Sequence, residues 1–247
     1  MNYIDIGKEN KEVIVFIHGL ASRKEAWESQ HELSNKYRLL IPDLRGHGDN
    51  ELMEGINIQT FANDVIELLD SLGIEKANFC GLSMGGLVSQ EIYKRYPERV
   101  NKLILSNTLF YSIPFLSEFF INSRKRKLNK VSEEEFTQQA LQRCIYRLSD
   151  EELKDKAKRA FKLNKESYIK AGRSCLQQNN ICLLPKVKAK TLVIGGLYDK
   201  VTPVIISKQI HKLIPNSQFV VFDEVGHVAN IEVPDKFNRL VDNFLMN

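Results

Sequence analysis

Ala77-Asn78-Phe79-Cys80-Gly81-Leu82-Ser83-Met84-Gly85-Gly86-Leu87-Val88 is the stretch that decides the fold. An apolar run that reads as a short strand meets Gly-Leu-Ser-Met-Gly, and the chain then continues with apolar residues at helical spacing until Pro97 stops the pattern. The glycines two residues before and two after Ser83 have a mechanical reason. A strand-to-helix turn this sharp strains the serine backbone and presses its neighbours against adjacent main chain, where a Cβ would clash. Such a nucleophile elbow leaves Oγ exposed at the carboxyl edge of a sheet. The same letters can form a Gly-rich turn without chemistry, but here the strand, turn and helix follow one another as the elbow requires. A dinucleotide-binding turn is disfavoured because Ser83 stands where that fingerprint needs its second glycine.

An exposed serine is a poor nucleophile until a base accepts its proton, and the base must be held in one tautomer by an acid. The run Thr191-Leu192-Val193-Ile194 reads as a buried strand, and Asp199 lies in the loop after it. Gln218-Phe219-Val220-Val221-Phe222 reads as the next strand, and His227 lies in the loop that follows. Asp223 is the rival acid, but its place directly after a strand and four residues before His227 suits a turn. The strand Leu103-Ile104-Leu105-Ser106 runs into Asn107 and Thr108, neither of which can serve as an anionic orienter. The catalytic set read from the sequence is therefore Ser83, Asp199 and His227. Acyl transfer also develops an oxyanion that needs two preorganised N–H donors. The residue after the serine supplies Met84 N–H, and the turn after Val13-Ile14-Val15-Phe16-Ile17 supplies Leu20 N–H.

The remaining histidines have plainer readings. His18 shapes its turn by hydrogen bonding, His47 lies in a loop, and His31 and His211 fall in polar, helix-like surroundings that suggest solvation.

These positions together resemble the α/β-hydrolase family from end to end, and within it the small cofactor-free esterases and lactonases. The likeness is carried by His18-Gly19-Leu20 with Trp27 following, Asp43-Leu44-Arg45-Gly46-His47-Gly48, the Ser83 elbow, Asp199 with Pro203, and Gly226-His227. The chain order Ser, Asp, His is that of this family. Ser106-Asn107-Thr108 and the segment from His227 to Phe237 are similar to 3-oxoadipate enol-lactonases. The sequence departs from those relatives at Asn50, where they usually place serine, and in having no tryptophan after Trp27. The resemblance implies that Asp43 and Arg45 pair to hold the loop after their strand. It also implies a cofactor-free, metal-free hydrolase of a small ester or lactone, with thioester, carbon–carbon bond and perhydrolase chemistry open within the same mechanism. A ligand-sensing protein that keeps the triad without turnover is the alternative from a different class.

Organisation and charge give the remaining expectations. Strands alternate with amphipathic helices up to Thr108, with helices read at 24–34 and 58–72, and alternation implies a mostly parallel central sheet flanked by helices. Strand signals then stop, and helices are read at 131–148, 150–164 and 165–178. The sequence thus predicts an α/β core at residues 1–108 and 185–247, with a helical cap inserted at 109–184. From residue 109 to 189 the chain carries 17 Lys and Arg against 9 Asp and Glu, whereas the rest of the 247 residues carries 18 against 22. A basic cap suits an anionic substrate. The densest run, Arg124-Lys125-Arg126-Lys127, otherwise reads as a solvated helix face, with no nucleic-acid or membrane partner expected. Phe110, Tyr111, Phe115, Phe119, Phe120, Tyr146 and Phe161 supply aromatic bulk to pack the cap and line a pocket. No 18-residue apolar run and no leader pattern is present, so a soluble cytoplasmic protein with four reduced cysteines is expected.

Overall fold

The apolar runs of the central strands pair into a sheet buried on both faces, and their alternate residues feed two separate hydrophobic layers. Val13, Val15 and Ile17 face one layer with Phe79, Leu103, Leu105 and Val193, while Ile14 and Phe16 face the other with Cys80, Ile104, Leu192 and Ile194. The computed structural model describes residues 1–247, with the side chains of residues 114–116 outside the description.

In chain order the core begins with β1 (Tyr3–Ile6), β2 (Val13–Ile17), a 3₁₀ segment (Lys24–Asn35) and β3 (Arg38–Pro42). It continues with α1 (Ile58–Ser71), β4 (Ala77–Leu82), α2 (Met84–Arg95) and β5 (Val100–Ser106). Four helices follow: α3 (Pro114–Leu128), α4 (Glu133–Cys144), α5 (Glu151–Ala160) and α6 (Lys165–Leu176). The core then resumes with β6 (Lys190–Gly196), α7 (Val204–Leu213), β7 (Ser217–Phe222), α8 (Ala229–Glu232) and α9 (Pro234–Met246).

The seven strands form one sheet in the order β1-β3-β2-β4-β5-β6-β7. All neighbours are parallel except β1, which runs antiparallel to β3. Parallel strands joined by crossovers bring their carboxyl ends to one edge, and the loops after β2, β4, β5, β6 and β7 gather there. Trp27 and Phe16 pack at 4.8 Å between ring centroids, and Trp27 also meets Phe237 of α9, so the 3₁₀ segment and the last helix close one face of the sheet together.

The 24–34 helix expected from sequence is instead made of 3₁₀ turns over Lys24–Asn35. The helices of the insertion are shorter than their amphipathic patterns suggested. Ile145 and Phe161 take extended backbone and end α4 and α5. Their starts follow local chemistry: Ser132 and Glu135 form a reciprocal capping box, and Asp150 and Asn164 accept N–H groups at the heads of α5 and α6. Three elements were not read from the sequence: β1, α3 and the single-turn α8. The basic residues 125–127 sit in the last turn of α3, where they complement its exposed carbonyls. Among the described residues no helix is long and apolar enough to cross a membrane.

Candidate active site

Ser83 joins β4 to α2 at φ 56°, ψ −116°, a conformation that costs a non-glycine residue roughly 1–3 kcal/mol and persists only where the surroundings over-determine it. They do so here. Ser83 N–H donates to Ser106 O at 3.0 Å, while Ser83 O accepts from Thr108 Oγ1 at 2.6 Å and from Gly86 N–H at 3.0 Å. A Cβ at Gly81 would overlap the Gly85 carbonyl, and one at Gly85 would overlap the Ile17 carbonyl, so the glycines are demanded by close approach of main chain.

His227 and Asp199 meet although 28 residues separate them: His227 Nδ1 lies 2.8 Å from Asp199 Oδ2, and both residues are buried. The loop after β6 wraps the carboxylate. Val201 and Thr202 N–H donate to Oδ1 at 2.7 and 2.8 Å, and Thr202 Oγ1 donates to Oδ2 at 2.7 Å. Asn107, in the left-handed region at the end of β5, donates from its amide to Asp199 Oδ2 at 2.9 Å and to Gly226 O at 3.2 Å. Burial pushes the Asp199 carboxyl up, but the charge of His227 and the hydrogen bonds from His227, Asn107 and Thr202 outweigh it and hold the group at about 2. Asp223 stands apart, exposed, with its carboxylate accepting from Glu224 N–H.

Asn107 and Thr202 were not singled out as site residues in the sequence. Asn107 cannot act as an anion, and its amide acts as a donor to the anion instead. The only written signal was its place at the end of the strand after the elbow.

The His227 loop is held from below by Glu232, whose Oε1 accepts from Gly226 N–H at 2.9 Å and whose Oε2 accepts from Tyr146 N–H at 2.8 Å. His227 N–H donates to Cys144 O at 2.6 Å, so the end of α4 touches the histidine's own main chain.

The turn after β2 carries Leu20. His18 Nδ1 lies 2.8 Å from Gly19 O, and Nε2 accepts from Leu44 N–H at 3.1 Å, which assigns the proton to Nδ1. Burial pushes the His18 pKa down, and burial with the neighbouring His18 pushes His47 down to about 3, so both rings stay neutral. The expected Asp43–Arg45 pair does not form. Asp43, fully buried, accepts from Lys24 N–H (2.7 Å), Lys24 Nζ (2.9 Å) and Asp49 N–H (2.9 Å), while Arg45 makes a bidentate pair with Asp64 at 2.6 Å. Both residues lie in the turn beyond the end of β3 at Pro42, where the path of the loop sends the two side chains to different partners. Nor are His31 and His211 simply solvated: both are half-buried, and His211 Nδ1 lies 2.8 Å from Ser217 Oγ. All four cysteines are free. Burial pushes Cys144 and Cys175 up to about 12, which leaves them protonated and poor nucleophiles.

Ser83, His227, Leu20 and Met84 line one cavity of about 520 Å³ between the sheet edge and the inserted helices. The N–H groups of Leu20 and Met84 have no acceptor among the hydrogen bonds of the described residues. Phe120, Tyr111 and Phe161 contribute aromatic wall. Phe110 is buried in the core, Phe119 is 70% exposed, and Tyr146 stacks on Tyr198 outside, while the Phe115 side chain lies outside the described residues. Arg124 and Lys127 of α3 and Arg143 of α4 also line the cavity, and no acidic side chain does so among the described residues.

The strained serine on a strand-to-helix turn and the seven-stranded sheet define the class, and the family model for the alpha/beta hydrolase fold matches residues 12–234. The chain belongs to that family and is an α/β hydrolase. It is 28% identical to 3-oxoadipate enol-lactonase 1 of Acinetobacter baylyi, over 97% of this chain and 90% of that one. It is likewise 28% identical to the 2-hydroxy-6-oxononadienedioate/2-hydroxy-6-oxononatrienedioate hydrolase of Comamonas testosteroni, over 96% and 88% of the two chains. The crystal structure of the enol-lactonase from Burkholderia xenovorans LB400 superposes with a TM-score of 0.90 at 27% identity, covering 100% of this chain and 96% of that one.

Proposed function

We propose that this protein hydrolyses a small carboxylic ester or lactone through an acyl-enzyme on Ser83. Ser83 Oγ attacks the carbonyl, His227 Nε2 takes its proton and returns it to the leaving oxygen, and Asp199 holds the imidazole with its proton on Nδ1. Leu20 and Met84 N–H groups bind the oxyanion. Water then attacks the acyl carbonyl with His227 as the base, and the acid product leaves. The observation that carries this reading is the strained Ser83 backbone sharing one cavity with a buried His227–Asp199 pair.

The helices over the cavity act as its cap and set the substrate. Arg124, Lys127 and Arg143 line that side without a compensating carboxylate, so the substrate carries an anionic group distant from the scissile carbonyl. The enol-lactonases named above are consistent with an ester or lactone of this kind.

A fluorophosphonate probe tests the core of the reading: it should add to Ser83, seen as a mass shift on the peptide spanning the elbow, and abolish hydrolysis of a p-nitrophenyl ester. A panel of anionic and neutral esters, lactones and thioesters then places the substrate. Turnover that survives complete labelling of Ser83 would falsify the mechanism.

A further inference from the structure

The turn that carries Leu20 is clamped from two sides, and one side belongs to the helical insertion. On the sheet side, His18 is bonded to Leu44 N–H and Asp43 accepts Lys24 N–H, which fixes the chain at residues 18 and 24. The turn runs directly beside the elbow: a Cβ at Gly19 would sit 3.4 Å from Ser83 Cβ, in ordinary contact. The residues between are held from above by the connector that leaves α5. Ser22 and Phe161 form an isolated antiparallel bridge, and Lys162 N–H donates to Ala21 O at 3.0 Å. Ser22 Oγ donates to Ala160 O at 2.9 Å, and Arg23 Nε donates to Arg159 O at 2.7 Å. Lys162 Nζ reaches Asp49 at 3.1 Å, and Lys24 Nζ reaches the same carboxylate at 2.5 Å, so the two clamps share a charge network. In the middle, Ala21 sits at φ 55°, a region its Cβ disfavours.

We infer that the connector at residues 159–162 is a positioning element for the oxyanion donor of Leu20. This rests on the serine-hydrolase reading above. His18, bonded through its ring to Gly19 O and Leu44 N–H, fixes the chain before Leu20, and the bonds to Ala21 O and Ser22 fix it directly after, so the peptide that carries Leu20 N–H has a single orientation. Without the connector, Ala21 relaxes from its left-handed conformation and the N–H swings away from the space beside Ser83 Oγ. The insertion thereby completes the catalytic geometry as well as covering the substrate.

Two variants test this, Ser22→Ala, which removes the bond to Ala160 O, and Lys162→Pro, which removes the N–H bonded to Ala21 O. Phe161 already has φ −97° and ψ 133°, the backbone a residue before proline prefers. Lys162 is exposed and does not line the cavity, whereas Ser22 does, so Lys162→Pro separates loop positioning from substrate contact. Both are measured for kcat and KM on p-nitrophenyl acetate, for Tm, and for inhibition by butylboronic acid. Serine Oγ adds to the boron of that acid, its proton passes to His227, and the tetrahedral adduct places an oxygen in the oxyanion hole.

The expected result is a fall in kcat of roughly 10- to 100-fold with KM little changed, since misplacement of a catalytic donor by about 1 Å can cost that much. Boronate affinity should weaken by the same factor. Unchanged kcat and boronate affinity in either folded variant overturn the proposal. So does loss in Ser22→Ala alone, which would assign the hydroxyl to substrate contact, or a loss carried by KM with boronate affinity retained. If Lys162→Pro does not fold, the boronate and the split between kcat and KM in Ser22→Ala decide alone. A wild-type protein that neither turns over esters nor binds the boronate overturns the hydrolase reading and this one together, whereas an active wild type with unaffected variants overturns only this one.

Discussion

The loops at the carboxyl edge of the sheet and the helices inserted between β5 and β6 enclose the same cavity with different chemistry. At the sheet edge the functional groups are tied down: the Asp199 carboxylate is met by four donors besides His227's ring nitrogen, and Ser83 by three main-chain bonds on its N–H and carbonyl. Across the cavity, α3 and α4 present Lys127 and Arg143, exposed cations at the ends of flexible side chains, beside apolar residues. On the proposed function, the difference separates the region that sets the reaction from the region that selects its substrate. Groups that must meet a transition state need geometry fixed before the substrate arrives, whereas groups that attract a charged substrate work over several ångströms and tolerate motion.

The comparison breaks if the rigid side is dispensable. Ser83→Ala should lower kcat for a p-nitrophenyl ester by about 10⁴- to 10⁶-fold with an unchanged circular dichroism spectrum, because donors alone cannot replace the nucleophile. Esterase activity that persists in purified mutant protein places the chemistry elsewhere.

Next in size is the acid. Asp199→Asn should cost on the order of 10⁴ in kcat, the loss seen in serine proteases when the histidine is left in the wrong tautomer. Asp223→Asn, at an exposed turn, should cost almost nothing. Steady-state kinetics on the two variants side by side decide the matter, and a reversed order would transfer the role to Asp223.

The pH profile sharpens the same contrast. Asp199 is held at about 2 in the fold against 3.8 for a free aspartate, so its folded-state pKa is depressed. Its stabilising contribution is complete above the unfolded value and is lost only as the pH falls from near 4 toward 2. The Tm of the wild type should therefore fall between pH 4 and pH 2 more steeply than that of Asp199→Asn, which has no carboxyl to protonate. Equal slopes for the two proteins would show that the Asp199 carboxyl is not held down by the fold.

The smallest effect tests the flexible side. Lys127→Gln with Arg143→Gln should lower kcat/KM for a carboxylate-bearing ester by roughly 10-fold, with neutral esters little affected and the difference shrinking as salt is added. Lys125→Gln with Arg126→Gln, on residues outside the cavity lining, is the control. Equal losses on charged and neutral substrates would mean that the helices themselves were damaged.

Much of this was legible in the chain because the governing physics is local. Gly81, Ser83 and Gly85 announce a turn whose main chain tolerates no Cβ at its two flanks, and that constraint shows in five letters. Alternation of apolar residues announced the buried strands, and the loop after each strand could be counted forward to Asp199 and His227. The residues missed are those whose role is a contact across the fold. Asn107 becomes a donor to Asp199 only because β5 and β6 are neighbours in register, with Ser106 beside Ile194. Asp43 binds Lys24 and Arg45 binds Asp64 because the path of the loop after β3, which no pairwise reading of the sequence contains, sends the two side chains apart. β1 escaped notice because its four residues at the sheet edge are only partly buried and carry little periodic signal. The bridge between Ser22 and Phe161 joins positions 139 residues apart. The sequence by itself determined the elbow, the order of its candidate chemistry along the chain and the basic bias of the insertion, because steric demand, burial and net charge are written residue by residue. Only the tertiary structure decided which cations face the cavity, what holds the carboxylate and what steadies Leu20, because those depend on directions and distances between segments that the chain brings together only when it folds.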